Sequence, residues 1–141
     1  MTPPFATPNA AEEAFYRAFA ALDPAAMRRA WSADDTVPCL RPGGPLLQGQ
    51  PAVLQGWAGI FSGSPPPRLV WERLSTVQEG DLAVHVTVEH IHSGDPAAGR
   101  GARVIATNVF RRQPGGWLLI QHHASVPLVR QTRAQRAGSL H

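Results

Sequence analysis

The hydrophobic periodicity of this chain changes once, at Pro65-Pro66-Pro67, and that change restricts the fold more than any other feature. Before it, apolar residues recur about every 3.6 positions, the spacing that lines one face of a helix; after it they alternate, as in a strand with one buried side. Upstream, Thr7-Pro8 or Asn9, with Glu12 three residues on, caps a helix over 9–22 that carries Phe15, Ala18, Phe19 and Leu22 on one face. Asp23-Pro24 opens a short helix through Met27 and Trp31 ending near Ser32, and Gln50-Pro51 starts a third with Val53, Leu54, Trp57, Ile60 and Phe61. Between those two, Asp34-Asp35 reads as a loop, 37–40 as a short strand and Pro42-Gly43-Gly44-Pro45 as a turn. Downstream, strands are expected at 69–78, 82–92, 102–112 and 116–126. Turns at Gln78-Glu79-Gly80-Asp81 and Gln113-Pro114-Gly115-Gly116, and a longer loop over 93–101, join them into an antiparallel meander. Helices first and strands afterwards give an α+β domain, not a doubly wound sheet.

The faces of two strands bear on any site. In 82–92 the even residues Leu82, Val84, Val86 and Val88 are apolar and continue into His90 and His92, whereas His85, Thr87 and Glu89 lie on the odd side; the even side is expected inward. In 102–112, Ile105 and Val109 compete with Ala106, Asn108 and Phe110, and the pattern leaves both assignments open.

With 141 residues the chain has room for one domain and a core that needs no staple. The expected division is an extension over 1–10, a domain over 11–126 and a flexible Arg-rich tail over 127–141. The single Cys39 cannot form an internal disulfide, and the N-terminus lacks the basic start and apolar run of a secretory signal; a cytoplasmic location is expected. No apolar stretch approaches the roughly 20 residues of a membrane span, so no membrane partner is expected. All 13 basic residues are Arg. Without Lys there is neither a Walker-type phosphate loop nor Schiff-base chemistry. The acids all precede residue 96, which leaves the C-terminal third basic and points to an anionic ligand; its arginines lack the aromatic interleaving of a nucleic-acid surface. Gly59-Ile60-Phe61-Ser62-Gly63 has the wrong spacing for a serine nucleophile elbow. His90-x-His92 with His123 could hold a metal only with acids the neighbourhood lacks, so no metal or other cofactor is expected.

Thr107-Asn108-Val109-Phe110, a Gly turn, Trp117 and then His123-Ala124-Ser125 resemble the closing hairpin of the nuclear transport factor 2-like superfamily in its SnoaL-like branch. The calcium/calmodulin-dependent kinase association domain ends in a similar strand. Phe15-Tyr16 to Asp23, Trp31 to Asp35 and Gly49 to Phe61 follow in the same order, extending the resemblance over about 11–126. The resemblance implies three N-terminal helices packed on a strongly curved antiparallel sheet (a cystatin-like cone, or α+β barrel). It also implies an internal pocket open at one end and a homodimer packed through the sheet.

Isomerase-like members of that superfamily set a phenol on the first helix, a carboxylate base at the end of the first strand and an acid before the last hairpin. The matching positions here are Phe15, with Tyr16 beside it, Cys39-Leu40-Arg41, and Asn108. No carboxylate remains among them, and a guanidinium cannot serve as base, which argues against that mechanism. The fold instead projects His90, Asn108, Gln121, His123 and Ser125 into the pocket, with Tyr16, Trp31, Arg41, Trp57, Val86, Val88 and Phe110 around them. His123 is the expected acid/base and Asn108 its catalytic partner. The reading is therefore a SnoaL-like protein binding a small apolar or anionic molecule, acting, if it is an enzyme, on a carbonyl or carboxylate compound in the manner of an isomerase, cyclase or dehydratase. The alternative is a non-catalytic homodimerisation or ligand-sensing module.

Overall fold

A computed structural model describes residues 5–63, 65–92 and 101–128. Helix α1, Pro8–Ala21, is capped by Thr7, whose hydroxyl accepts a hydrogen bond from Ala10 N at 3.0 Å, with Pro8 in the first turn. Glu12 is therefore released from capping and lies fully buried on the apolar face beside Phe15, Tyr16 and Phe19. The helix closes on Leu22 in the left-handed conformation. Asp23 caps α2, Pro24–Ala30, which stops two residues short of Ser32 because Trp31 is already extended and pairs with Leu119.

Strand β1, Pro38–Leu40, and β2, Leu47–Gln48, form a small hairpin before α3, Gln50–Gly63. β2 is absent from the sequence reading, being too short to show a period. Gly49 has φ +87°, and a Cβ there would come within 2.9 Å of the Asp35 carbonyl oxygen; this turn requires glycine. The meander follows as β3, Arg68–Glu79, β4, Leu82–His92, β5, Ala102–Gln113, and β6, Gly116–Ser125.

These strands make one sheet in the order β2-β1-β6-β5-β4-β3. Its four long strands are antiparallel as expected, and β1 pairs parallel to β6, which makes the sheet mixed. The helices cover one face. Phe15, Phe19, Met27, Trp31, Val53, Trp57, Phe110 and Leu119 are buried between the two layers in an α+β cone. Phe5 pairs with Gly116 and packs against this core, so the chain is tied into the fold before residue 11, where the extension was expected to end. The 93–101 loop, but for Gly101, and the tail beyond Leu128 lie outside the described residues.

Two register shifts decide which side chains face the helices. On β6 the partners step from Phe110↔Leu119 to Val109↔Gln121, so Ile120 is an extra residue and the inward set changes from Trp117 and Leu119 to His122 and Ala124. On β3 the pairing steps past Leu74 between Arg73 and Ser75.

Candidate functional site

The interior of the cone is polar where the sequence reading expects it apolar. On β4 the odd residues Ala83, His85, Thr87 and Glu89 are buried toward α1, and the even residues Leu82, Val84, Val86, Val88 and His90 share the outer face. Register extends this assignment across the sheet, since paired residues share a face: Val86, Thr107 and His123 form one outer row, Val88, Ile105 and Ser125 another, and Val84, Val109 and Gln121 a third.

Several expected site residues are thereby corrected. His123 and Ser125 are exposed on the outer face, and Gln121 and His90 are half-buried there. Val86 and Val88 also belong to that face. On β6 the physical cause is the Ile120 bulge, since unbroken alternation from Trp117 and Leu119 would have turned 121, 123 and 125 inward; on β4 it is Glu12 and Tyr16 of α1, which draw His85, Thr87 and Glu89 inward by hydrogen bonds. The described residues include no group of three or more His, Cys, Asp or Glu side chains able to hold a metal ion.

Tyr16, Asn108, Trp31, Trp57 and Phe110 do lie inside. Phe110 packs on the His85 ring at 5.1 Å. Trp31 and Trp57 flank Phe15, and each buried indole N–H lacks a hydrogen-bond partner. Asn108 is the centre of a connected set. Its Nδ2 donates to Glu12 Oε2 at 2.9 Å and to the Tyr16 hydroxyl at 3.1 Å. Its Oδ1 accepts from His122 Nδ1 at 2.6 Å, which assigns the ring proton to Nδ1. Glu12 also accepts from Arg73 Nε at 2.6 Å and His85 Nδ1 at 2.9 Å through Oε1. Three donors from three strands thus compensate a carboxylate with no solvent exposure.

From Asn108 the set continues to the other carboxyl. Tyr16 donates to Glu89 Oε2 at 2.6 Å, while Thr87 Oγ1 lies 2.7 Å from the same phenol; with the single phenolic proton committed to Glu89, Thr87 is the donor to it. Trp71 stacks on the Tyr16 ring with centroids 4.4 Å apart, and the Arg73 guanidinium lies over Trp71. Glu12 and Glu89 are the two functional-type residues the sequence reading missed. The available signals were the helical spacing of Glu12 to Phe15, Tyr16 and Phe19, and the run of hydrogen-bonding types at 85, 87 and 89.

The two ends of this set differ electrostatically. Burial pushes the Glu89 carboxyl up to about 7; the Tyr16 hydrogen bond and the nearby Arg41 charge oppose that rise, and Glu12 adds to it. Tyr16 is held far above the usual phenol range, first by burial and then by the Glu89 charge, so it remains a donor. Burial, and after it the charges of Arg41 and His123, lower His122 to about 3, which keeps the imidazole neutral. Cys39, inward on β1 opposite His122, is pushed up to about 12 by burial, against the pull of Arg41 and of the Trp57 N–H. That N–H approaches the sulfur without meeting hydrogen-bond geometry. Arg41 follows with the same inward parity. It is half-buried, its guanidinium 5.1 Å from the Trp57 ring centre and 6.0 Å from that of Phe19, and desolvation lowers its proton affinity. The arrangement can therefore hold or move one proton near neutral pH at Glu89, within the field of the Arg41 charge.

Comparison with known proteins places this geometry. The SnoaL-like domain family matches residues 9–129. A structure from Thiobacillus denitrificans, provisionally assigned as a calcium/calmodulin-dependent protein kinase type II association domain, is 35% identical, covers 87% of this chain and 97% of its own, and superposes with a TM-score of 0.80. A provisionally assigned dehydratase of the NTF2-like family from Streptomyces avermitilis is 32% identical, with 86% and 94% coverage and a TM-score of 0.76. A ketosteroid isomerase-like protein from Erwinia carotovora atroseptica, 19% identical over 86% of this chain and 94% of its own with a TM-score of 0.68, shares the fold. The F-box protein SKIP8 of Arabidopsis thaliana is 30% identical over 116 residues, 74% of this chain; the match spans 42% of that protein's length.

Proposed function

The chain belongs to the SnoaL-like domain family of the nuclear transport factor 2-like superfamily, and we propose that it binds a small, largely apolar carbonyl or carboxylate compound inside the cone and transfers a proton to or from it through Glu89. The observation that carries this reading is a carboxyl 1% exposed, poised near neutral pH and fixed by a phenol that does not ionise. In its ionised form Glu89 takes a proton from the carbon beside the carbonyl, the electron pair moves to the carbonyl oxygen, and the proton is returned to the ligand. Glu89 thus takes the acid/base role expected of His123. Asn108 is a positioning residue, because it acts through Tyr16. With Glu89 and Tyr16 both buried, a ligand enters when a covering side chain moves, and half-buried Arg41, whose charge reaches Glu89, is the candidate for that movement.

The test is exchange of carbon-bound hydrogen for deuterium in D2O, followed by proton NMR with cyclohexanone, phenylacetone and phenylpyruvate. Accelerated exchange of at least one compound by the native protein, lost in Glu89→Gln, supports the reading. Exchange that is absent throughout, or unchanged in Glu89→Gln, overturns it.

The outer sheet face favours a second, compatible reading as a homodimer. Val70 is 60% exposed, Val77 57% and Val84 39%, with Leu74 and Leu82 also exposed in the same hairpin. An apolar surface of this kind marks an interface. The lone buried Cys39 fits a reducing compartment such as the cytoplasm, and among the described residues no helix is long and apolar enough to cross a membrane.

A further inference from the structure

Arg41 is placed unlike the other arginines with described contacts. Arg73, Arg111 and Arg112 each meet a carboxylate, on Glu12, Asp34 and Asp81 respectively. Arg41 forms no salt bridge among the described residues, although it is half-buried and lies close enough to Glu89, Cys39 and His122 for its charge to bear on each. What holds it is aromatic: the faces of Trp57 and Phe19. Stacking of that kind fixes the plane of a guanidinium and leaves its N–H edge available.

A second observation lies in the same cluster. The indole N–H of Trp57, on the side chain that Arg41 covers, is buried without a hydrogen-bond partner. That N–H is turned to the Cys39 sulfur, so the donor of this cluster left for a ligand is the guanidinium, which has no carboxylate partner among the described residues. The neighbouring groups supply no compensating negative charge while Glu89 is protonated, since Cys39 remains a thiol and His122 a neutral imidazole. The vacant electrostatic role is therefore that of an anion with planar, paired acceptors, which a carboxylate fits through two parallel N–H bonds. The aromatic side chains against it, Phe19 and Trp57, favour an apolar body behind the charged group.

We propose that Arg41, held over the Trp57 and Phe19 rings, is a carboxylate-recognition subsite, so that the ligand of the cone is an apolar carboxylic acid rather than a neutral ketone. This rests on the reading that the cone takes a small molecule next to Glu89, and it narrows the class. Arg41 acts as a specificity-determining residue: it anchors the carboxylate and sets the distance at which the rest of the molecule reaches Glu89.

The experiment measures binding by titration calorimetry, at about pH 6, of hexanoate, benzoate, phenylacetate and phenylpyruvate, each beside its primary amide. In the native protein at least one acid binds about tenfold or more tighter than its amide. Arg41→Gln abolishes that ratio without weakening the amide, and Arg41→Lys, which keeps the charge but not the fork, retains part of it. Circular dichroism confirms that both variants fold. No acid preference in the native protein, or a preference that survives Arg41→Gln, overturns the subsite. Glu89→Gln separates the two readings: it keeps the acid preference if the subsite is real, whatever becomes of hydrogen exchange. Exchange that persists in Glu89→Gln alongside an intact acid preference removes the proton-transfer role and leaves the carboxylate subsite standing.

Discussion

The two faces of β4 are built from one stretch of eleven residues and reverse the usual placement of polarity. The side against the helices carries His85, Thr87 and Glu89; the side away from them carries Leu82, Val84 and Val86. A strand in an ordinary half-solvated sheet puts its apolar residues inward, because burial of each is worth roughly 1.5–3 kcal/mol. Here the inner polar groups are compensated by Glu12 and Tyr16 of α1, so their burial is tolerated, while Leu82 and Val84 on the outer side stay exposed. The contrast teaches that hydrophobic alternation identifies a strand but not its inward side when buried polar residues find hydrogen-bond partners on the layer packed against them.

The largest test of that contrast is removal of Glu12. Glu12→Ala leaves Arg73, His85 and Asn108 without the acceptor they share. Breaking a buried, hydrogen-bonded charge in this way costs about 3–5 kcal/mol, read from urea unfolding. A loss below about 1 kcal/mol would mean that the inner face is wet and the three donors have turned to water.

Glu89 gives the next effect, and its sign is set by the raised proton affinity. The unfolded chain releases this proton near the ordinary 4.5, the folded chain near 7. Between those values the folded form binds a proton the unfolded form lacks, so this group's contribution to stability falls as pH rises, by about 3 kcal/mol in all, and stays lost above 7. His122 works in the opposite sense: ordinarily near 6.5 but lowered to about 3 in the fold, it makes stability rise with pH across that range. The two slopes oppose each other between 4.5 and 6.5, which hides both in the native protein. Glu89→Gln uncovers them. Its stability relative to native should climb by about 3 kcal/mol from pH 4.5 to 7 and then level; parallel curves would show a carboxyl in ordinary water.

Much of the fold was legible because it rests on local chemistry. The Thr7 and Asp23 caps, the two Gly turns of the meander and the change of period at the three prolines each act over a few residues, and the helices and long strands fall where those signals put them. The interior was less legible, for two reasons. Ile120 shifts the parity of β6 within a run of five residues, Leu118 to His122, with no Gly or Pro to announce it. Glu12 and Glu89 are tolerated inside only because partners 61 to 96 residues away in the chain meet them, and such long-range compensation leaves no periodic trace.

The outer face can be tested without disturbing the inner one. Val77 and Val84 are directly paired and exposed, so Val77→Asp with Val84→Asp should leave the circular dichroism of the fold intact and change the molar mass seen by light scattering from dimer to monomer at micromolar concentration. A native protein that is already monomeric would remove the interface and leave the exposed valines as a property of the single chain.

The smallest expected effect is the sharpest comparison, because it concerns neighbours. His122 is buried between Phe15 and Trp57 and donates to Asn108; His123, one residue on, is exposed beside Thr107 on the other side of the sheet. His123→Ala should change stability by less than about 0.5 kcal/mol. His122→Ala both opens a cavity and strands the Asn108 carbonyl, at about 2–4 kcal/mol. Since neighbouring residues of a strand point in opposite directions, equal costs at 122 and 123 would mean that neither imidazole is packed against the helices. A larger cost at 123 would require β6 to lack the bulge at Ile120, which would return Gln121, His123 and Ser125 to the interior and make His123 a rival to the proposed acid/base Glu89.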